Sequence, residues 1–281
     1  MSRRQNLEHH RHSLTEVQNI MNSMKTMAYI ESRKLSACID AQQAVIHSIE
    51  QASRDLLNFY PDILPQPGRN PSVILLIGSE RGFCGDFNHA LFRELEVQTS
   101  KSSLLISVGH KLNLLLEDDP RLTAAIDGIS VNEEITSVIE QLVARLALLQ
   151  EQHGLLSVSC LYHAGDDGIR TQKLLPPFHD LLHQTVGFSH PPLHNQPPED
   201  LLLELSDHYL FAVLHQILFI SLLEENHRRI THLDGAVKYL DKQLAELTRK
   251  SSALRQEEII EEIEVILLSA ASLDANLDTQ T

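Results

Sequence analysis

From Leu7 to Leu56 apolar residues recur at alternating steps of three and four. The series is Leu7, His10, Leu14, Val17, Met21, Met24, Ala28, Glu31, Leu35, Cys38, Gln42, Val45, Ile49, Ala52 and Leu56, and twelve of its 15 positions are apolar. A repeat sustained over about seven heptads predicts a coiled-coil helix. At 1.5 Å per residue, roughly 50 helical residues span about 75 Å, so the stripe needs an equally long partner. The other end of the chain supplies one. Leu233, Val237, Leu240, Leu244, Leu247 and Leu254 form a second seam, broken at Ser251. The seam is then expected to shift by one position onto Ile259, Ile263, Ile266, Ala270 and Leu273, as a helix drifting around its partner would.

Helix breakers obey the same division. All 11 prolines lie from Pro61 to Pro198, and ten of the 11 glycines lie from Gly68 to Gly187, with Gly235 the exception. Proline removes a donor and clashes inside a helix, and glycine costs about 1 kcal/mol there, so their absence over long spans favours long helices. The chain therefore divides into an N-terminal coiled-coil helix (1–60), a compact middle with a Pro-rich linker (61–198) and a C-terminal coiled-coil helix (199–281). In the middle, Ser72–Ile77, Leu104–Val108 and Leu155–Tyr162 read as strands, with helical runs at Phe87–Gln98 and Asn132–Gln152 between them. Alternating strands and helices predict a small parallel α/β sheet.

Composition narrows the class. Of 281 residues, 42% are apolar, which argues against disorder. A net charge of −15 argues against a bare nucleic-acid binder, because phosphates repel an acidic surface. The charge is uneven: 1–60 holds seven basic and six acidic side chains, and 199–281 seven basic and 16 acidic. A near-neutral helix beside an acidic one avoids like-sign repulsion. Cys38, Cys84 and Cys160 form no CxxC pair and leave an odd thiol, which fits a reducing compartment. The N-terminal MSRRQNLEHHRHSLTE lacks the apolar core of a signal peptide. The longest apolar stretch, Tyr209–Leu223, is interrupted by His215 and Gln216 and is too short to span a bilayer. A soluble cytoplasmic protein, able to dock on a membrane complex, is expected.

Four constellations invite chemistry. Gly78-Ser-Glu-Arg-Gly82-Phe-Cys-Gly85 follows a strand and precedes a helix, where phosphate loops sit. Its spacing is GxxxGxxG, no Gly-Lys-Ser/Thr follows, and Glu80 and Asp86 would repel a phosphate, so a tight structural turn is expected. Cys84 near a helix start has no partnered His or second Cys in sequence, so a small buried residue is expected. His179-Asp-Leu-Leu-His183 has the spacing of HExxH with Asp for Glu, and His190 and His194 lie beyond it across Pro191 and Pro192. His9, His10 and His12, and the carboxylates of Glu257–Glu264, read as exposed helix faces, the latter without the ExxH of di-iron bundles. Met21 and Met24 lie on the seam and read as core, with Met27 beside them. No catalytic, cofactor or metal site emerges from these residues.

Three blocks in order along the chain resemble the γ subunit family of F-type ATP synthases. Ile20-Met-Asn-Ser-Met24-Lys25-Thr-Met27-Ala28, followed by Arg33-Lys34-Leu35, is similar to the family's KITKAMKMVA. Gly78–Asn88 (GSERGFCGDFN) is similar to SDRGLCGGLN. Glu225-Asn226-His-Arg-Arg229, Leu254-Arg255-Gln256 and Ile259–Ile266 are similar to SENAARM and RQAxITxEIxEI. Val108-Gly109-His-Lys111 and Leu174-Leu175-Pro176 are smaller echoes. Ile260 stands where the family has Thr, Ser269-Ala270 where it has GA, and Asn22, Ser23 and Thr26 where it has Lys, Ala and Met. These departures resemble the divergent bacterial N-type branch.

The resemblance implies an α/β fold in which a long antiparallel coiled coil of the N- and C-terminal helices carries an inserted small Rossmann-like α/β domain. It implies a non-catalytic central-stalk rotor subunit that couples ATP synthesis or hydrolysis at α/β sites to ion flow. Implied partners are the α and β subunits, the ε subunit and the c-ring, with no nucleic acid, no cofactor and no metal. The implied location is peripheral, at the cytoplasmic face of the bacterial inner membrane. Met24, Lys25, Arg255, Gln256 and Glu262 match positions that touch the β catch loops. Two other readings share parts of this sequence: a cytoplasmic coiled-coil adaptor, predicting a homodimer, and a nucleotide-dependent enzyme built on the middle domain.

Overall fold

The structure, a computed structural model, describes residues 3–64, 70–98, 103–165, 168–181 and 190–278, with side chains to residue 267. Five α-helices and five strands are described: α1 (Arg3–Phe59), β1 (Ser72–Ile77), α2 (Phe87–Gln98), β2 (Leu104–Val108), α3 (His110–Leu116), β3 (Leu122–Ile126), α4 (Ile135–His153), β4 (Ser157–His163), β5 (Ile169–Leu175) and α5 (Pro198–Asp278). They form two compact units. One comprises Met1–Thr26 with Leu233–Thr281, and the other Met27–His232.

The larger unit is built on one sheet, in the order β3-β2-β1-β4-β5. The first four strands are parallel and β5 runs antiparallel to β4. Central β1 reads SVILLI without a polar break after Ser72 because both its faces are covered. Val73, Leu75 and Ile77 share a core with Ile139 and Leu142 of α4, Leu35 and Ile46 of α1, and Val213, Ile217 and Leu218 of α5. Leu76 points the other way, to Phe87, Leu91 and Leu95 of α2 and Leu112 and Leu116 of α3. The apolar run of α5 is accounted for by this burial: Ala212, Val213, Leu214, Ile217, Leu218 and Leu222 are all inside. One window of α5 has a mean hydropathy of 1.3, with 44% of it buried.

Three elements lay outside the sequence reading. β3 is LTAAI, whose alanines carry no strand signal of their own. It is held by pairing with β2, from Leu105↔Leu122 to Val108↔Ile126. β5, IRTQKLL, is an edge strand with exposed polar positions, and it returns antiparallel through left-handed Gly165 and Gly168. α3 has only seven residues and starts at Gly109, whose φ is 115°. A Cβ there would meet the Gly78 carbonyl oxygen at 2.8 Å, and a Cβ on Gly78 would meet Leu112 Cβ at 2.4 Å. These glycines serve a close crossing of the β1 and β2 ends.

The smaller unit is an antiparallel helix pair. Lys25 bonds Asp234, Gln18 bonds Asp241 and Arg4 bonds Glu258, so numbers fall on α1 as they rise on α5. Leu233, Val237 and Leu240 are buried on its seam. Two corrections to the expected stripe follow. Along α1, Leu7, Leu14, Met21, Ala28, Leu35, Gln42, Ile49 and Leu56 all face inward or are half-buried, as do Met24 and Glu31 of the intervening line, but the rest of that line is displaced by one residue. Gln18, Ser32, Ile39, Ile46 and Ser53 are inward or half-buried, while Val17, Cys38, Val45 and Ala52 are exposed. Polar inward positions hid this phase: Gln18 bonds Asp241 and Ser32 bonds the Ala28 carbonyl, while the Ser53 hydroxyl is buried with no partner among the described residues. On α5 the seam does not shift: Ser251, Leu254 and Glu258 continue it half-buried, and Ile259, Ile263 and Ile266 are exposed. Glu258 already pairs with Arg4 at the start of α1, so no α1 residue among those described lies opposite the isoleucines. The side chains of Ala270 and Leu273 lie outside the described residues.

Candidate functional site

Two of the sequence blocks, 145 positions apart, meet in the larger unit. The loop after β1 turns tightly because its own side chains bond its backbone. Asn88 Oδ1 accepts from Ser79 N at 2.9 Å, and Asn88 Nδ2 donates to Ser79 Oγ at 2.9 Å. Glu80 turns back and accepts from the backbone N–H of His110 at 2.8 Å and Gly128 at 2.7 Å. From α5, Glu225 accepts from Glu80 N at 3.1 Å and Arg81 N at 3.2 Å. Arg229 lies one turn further along the helix. Its guanidinium bonds the Gly82 carbonyl at 3.1 Å, Asn226 Oδ1 at 2.9 Å and Cys84 Sγ at 3.6 Å, and it forms an ion pair with Glu225. Glu225, Asn226 and Arg229 are each no more than 3% exposed.

This geometry explains why the loop is a structural turn and not a phosphate loop. The N–H groups that would face a phosphate are taken by Glu225, and Glu80 fills the neighbouring positions. Burial raises the Glu225 carboxyl pKa, and Arg229 and the two N–H donors work against that rise. Burial, with Glu225 adding, pushes the Cys84 thiol up to about 11 against the pull of Arg229. Cys160 is also raised by burial, and Cys38 is the exposed thiol. The expectation of an inert, buried Cys84 agrees with these values.

Beside the loop, the His163 ring stacks on Phe87 with centroids 3.8 Å apart, and Nε2 donates to the Phe87 carbonyl at 2.9 Å. Nδ1 is buried with no partner among the described residues. A second ring proton would have no acceptor there. Burial lowers the His163 pKa, with Arg228 adding, while the Phe87 carbonyl, Glu224 and Asp86 oppose the shift. His179 and His215 are lowered by burial too. An unfolded histidine takes its proton near pH 6.5, whereas these folded ones resist it to lower pH. The stability they carry is therefore full above about pH 6.5 and is lost as pH falls through the folded values. Urea midpoints should drop from pH 7.5 to pH 5, and His163→Gln, which keeps a donor for Phe87 but does not titrate, should flatten part of that slope. An unchanged slope would remove His163 from the explanation.

The histidine and carboxylate clusters form no metal site among the described residues: no group of three or more His, Cys, Asp or Glu side chains converges. His183 lies outside the described residues. His194 is occupied by Tyr60, with rings edge-on at 5.7 Å, and by the Gln196 carbonyl. His9, His10 and His12 are exposed.

The five residues expected to touch a catch all lie in the smaller unit, but at two levels. Met24 and Lys25 are half-buried, and Lys25 Nζ is 3.1 Å from Asp234, which also holds Lys238 at 2.7 Å. Arg255, Gln256 and Glu262 are exposed. Arg255 lies 21 residues beyond Asp234, so roughly 30 Å of helix separates the two levels. Around the second level Ile259, Ile260, Ile263, Val265, Ile266 and Leu267 are all 46–65% exposed, among Glu257, Glu261, Glu262 and Glu264. The role of Glu225 as a partner of loop amides was not read from the sequence. Its one signal was an acid and a base four apart in a helix, which usually marks a surface pair.

The chain is similar to the ATP synthase gamma chain of Clostridium botulinum (strain Kyoto / Type A2), at 22% identity over 265 residues covering 91% of this chain and 93% of the relative. It is 20% identical to the ATP synthase gamma chain of Caldanaerobacter subterraneus subsp. tengcongensis, over 92% and 96% of the two chains. In fold it is similar to a chain of the Euglena gracilis mitochondrial ATP synthase in the cryo-EM structure of OSCP/F1/c-ring, rotational state 3. There the TM-score is 0.62 at 14% identity, covering 97% of this chain and 95% of that one. The family model for ATP synthase matches residues 4–273, from the first turn of α1 to the last turns of α5. With the sequence blocks, the sheet and both long helices inside that match, the chain belongs to the ATP synthase family as a relative of its γ chains.

Proposed function

We propose that this chain is the central-stalk rotor subunit of a membrane ion-translocating F-type ATP synthase/ATPase. It couples ATP synthesis or hydrolysis at α/β sites to ion flow, and carries no active site itself. The observation that supports this best is the family match over 4–273, which takes in both terminal helices and the inserted sheet together. The partners are the α and β subunits, ε and the c-ring, and the location is the cytoplasmic face of the bacterial inner membrane, held through the complex. The division into helix 1–60, α/β domain 61–198 and helix 199–281 is part of this reading, as is the N-type branch. An asymmetric axle that presents a different face to each β subunit biases the three sites toward different conformations, which is coupling by differential contacts.

Native mass spectrometry of this chain, co-expressed with the α and β subunits of its operon, tests the reading. An assembly of three α, three β and one copy of this chain is expected. A homodimer, with α and β assembling alone, would replace it with the coiled-coil adaptor.

Met24, Lys25, Arg255, Gln256 and Glu262 are the proposed contacts to the β catch loops. The exposed guanidinium of Arg255 is free to meet an acidic partner, while Lys25 already spends its charge on Asp234. Arg255→Glu should leave the helix pair folded and cut ion pumping per ATP hydrolysed several-fold in reconstituted vesicles. Wild-type coupling in that variant would sink the assignment.

A further inference from the structure

Two consecutive backbone N–H groups, those of Glu80 and Arg81, converge on a single carboxylate from 3.1 and 3.2 Å. Arg229 completes the set with a guanidinium N–H. Successive amides after a strand, with a cation beside them, are the arrangement by which proteins hold anions. Here the anion comes from the chain itself, reaching the loop from α5. Only its ionised form fits, because a protonated Glu225 would aim an O–H into a ring of donors. The loop's other acid does not compete, since Glu80 is turned outward to His110 N and Gly128 N.

We propose that Glu225 is the built-in occupant of an oxyanion cradle formed by Glu80 N, Arg81 N and Arg229, that it positions the Gly78–Gly85 loop on α5, and that a small carboxylate can take its place. Three charge-assisted hydrogen bonds to one group hold the loop in register more tightly than neutral bonds would. Arg229 fixes the far side through the Gly82 carbonyl and Cys84. The joint lies wholly inside the larger compact unit, so the inference stands apart from the rotor reading: a chain that failed to assemble with α and β would leave it untouched.

Truncating Glu225 to alanine removes a carboxymethyl group, the size and charge of acetate. The test uses the full chain as Glu225→Ala and as Glu225→Gln, in sodium acetate and in sodium chloride of equal ionic strength. The readouts are hydrogen exchange at the amides of Glu80 and Arg81 and the thermal midpoint. In chloride, both variants should exchange those amides ~10- to 100-fold faster than the native chain. Acetate should restore most of the protection and midpoint to Glu225→Ala, and none to Glu225→Gln, whose amide group fills the cradle without its charge. Acetate acting no better than chloride on Glu225→Ala would overturn the proposal, as would native protection in Glu225→Gln. Should Glu225→Ala fold in neither salt, Glu225→Gln decides: lost protection at the two amides supports the cradle and retained protection refutes it.

Discussion

Arg229→Ala is expected to destabilise the larger unit by about 3–5 kcal/mol, the cost of stranding a buried charge whose partner has been removed. Glu225 would be left buried with two N–H donors and no counter-ion, and Gly82 and Cys84 would lose their contacts to α5. Arg229→Lys should recover only part of this. An ammonium restores the charge, but it cannot reach Glu225, Asn226 and the Gly82 carbonyl at once as the planar fork does. The measurement is the urea midpoint and slope of the full chain, followed by near-ultraviolet circular dichroism for the sheet unit. A loss under about 1 kcal/mol for alanine would place the pair among ordinary surface salt bridges.

Phe87→Ala should cost a comparable ~3–5 kcal/mol, through lost burial and the cavity left behind. Phe87 is 1% exposed and sits with Leu76, Leu91 and Leu112 in the core beneath α2 and α3. A second consequence separates it from any generic core deletion. The ring shields His163, whose lowered pKa comes first from burial. Admitting water should let that pKa return upward, so the acid loss of stability would shrink along with the total. Thermal unfolding at pH 7.5 and pH 5, with an NMR titration of His163, reads both effects. A variant with the full stability loss but an unmoved His163 would show that Phe87 supports the core without setting the histidine's environment.

Much of the architecture is legible in the sequence. Strands Ser72–Ile77 and Leu104–Val108 and helix Phe87–Gln98 lie where the sequence placed them, because each is a strong local signal bounded by turn residues. The long helices were visible as stretches without breakers. β3 was not, because the two central alanines of LTAAI dilute its strand signal and its ladder with β2 holds it in place. β5 was missed because an edge strand bearing Arg170, Thr171, Gln172 and Lys173 looks like loop. The α1 stripe is legible in part: the positions from Leu7 to Leu56 at sevenfold spacing are buried or half-buried, as are Met24 and Glu31, while Val17, Cys38, Val45 and Ala52 give way to the next residue along. The seam rule counts apolar residues, whereas this helix buries or half-buries Gln18, Lys25, Ser32 and Ser53 on its inner side.

The candidate site divides the same way. Glu80, Glu225 and Arg229 each belong to a sequence block, and Glu80 is turned to the backbone N–H groups of His110 and Gly128. Their actual use, as acceptors and donors that stitch the loop to α5, depends on bringing positions 145 residues apart within 3.2 Å. The five proposed catch contacts illustrate the reverse case, in which a pattern names residues and the structure spaces them. By itself the sequence determined the helices, the central strands, the acidic character and the family blocks, because these rest on local propensity, periodicity and composition. Only the tertiary structure decided the inward phase of α1, the antiparallel edge strand, the seam that runs straight to Glu258 and the burial of an ion pair under a glycine loop. Those outcomes turn on which distant groups meet, and a buried charge or an alanine strand is stable only through the partners the fold delivers.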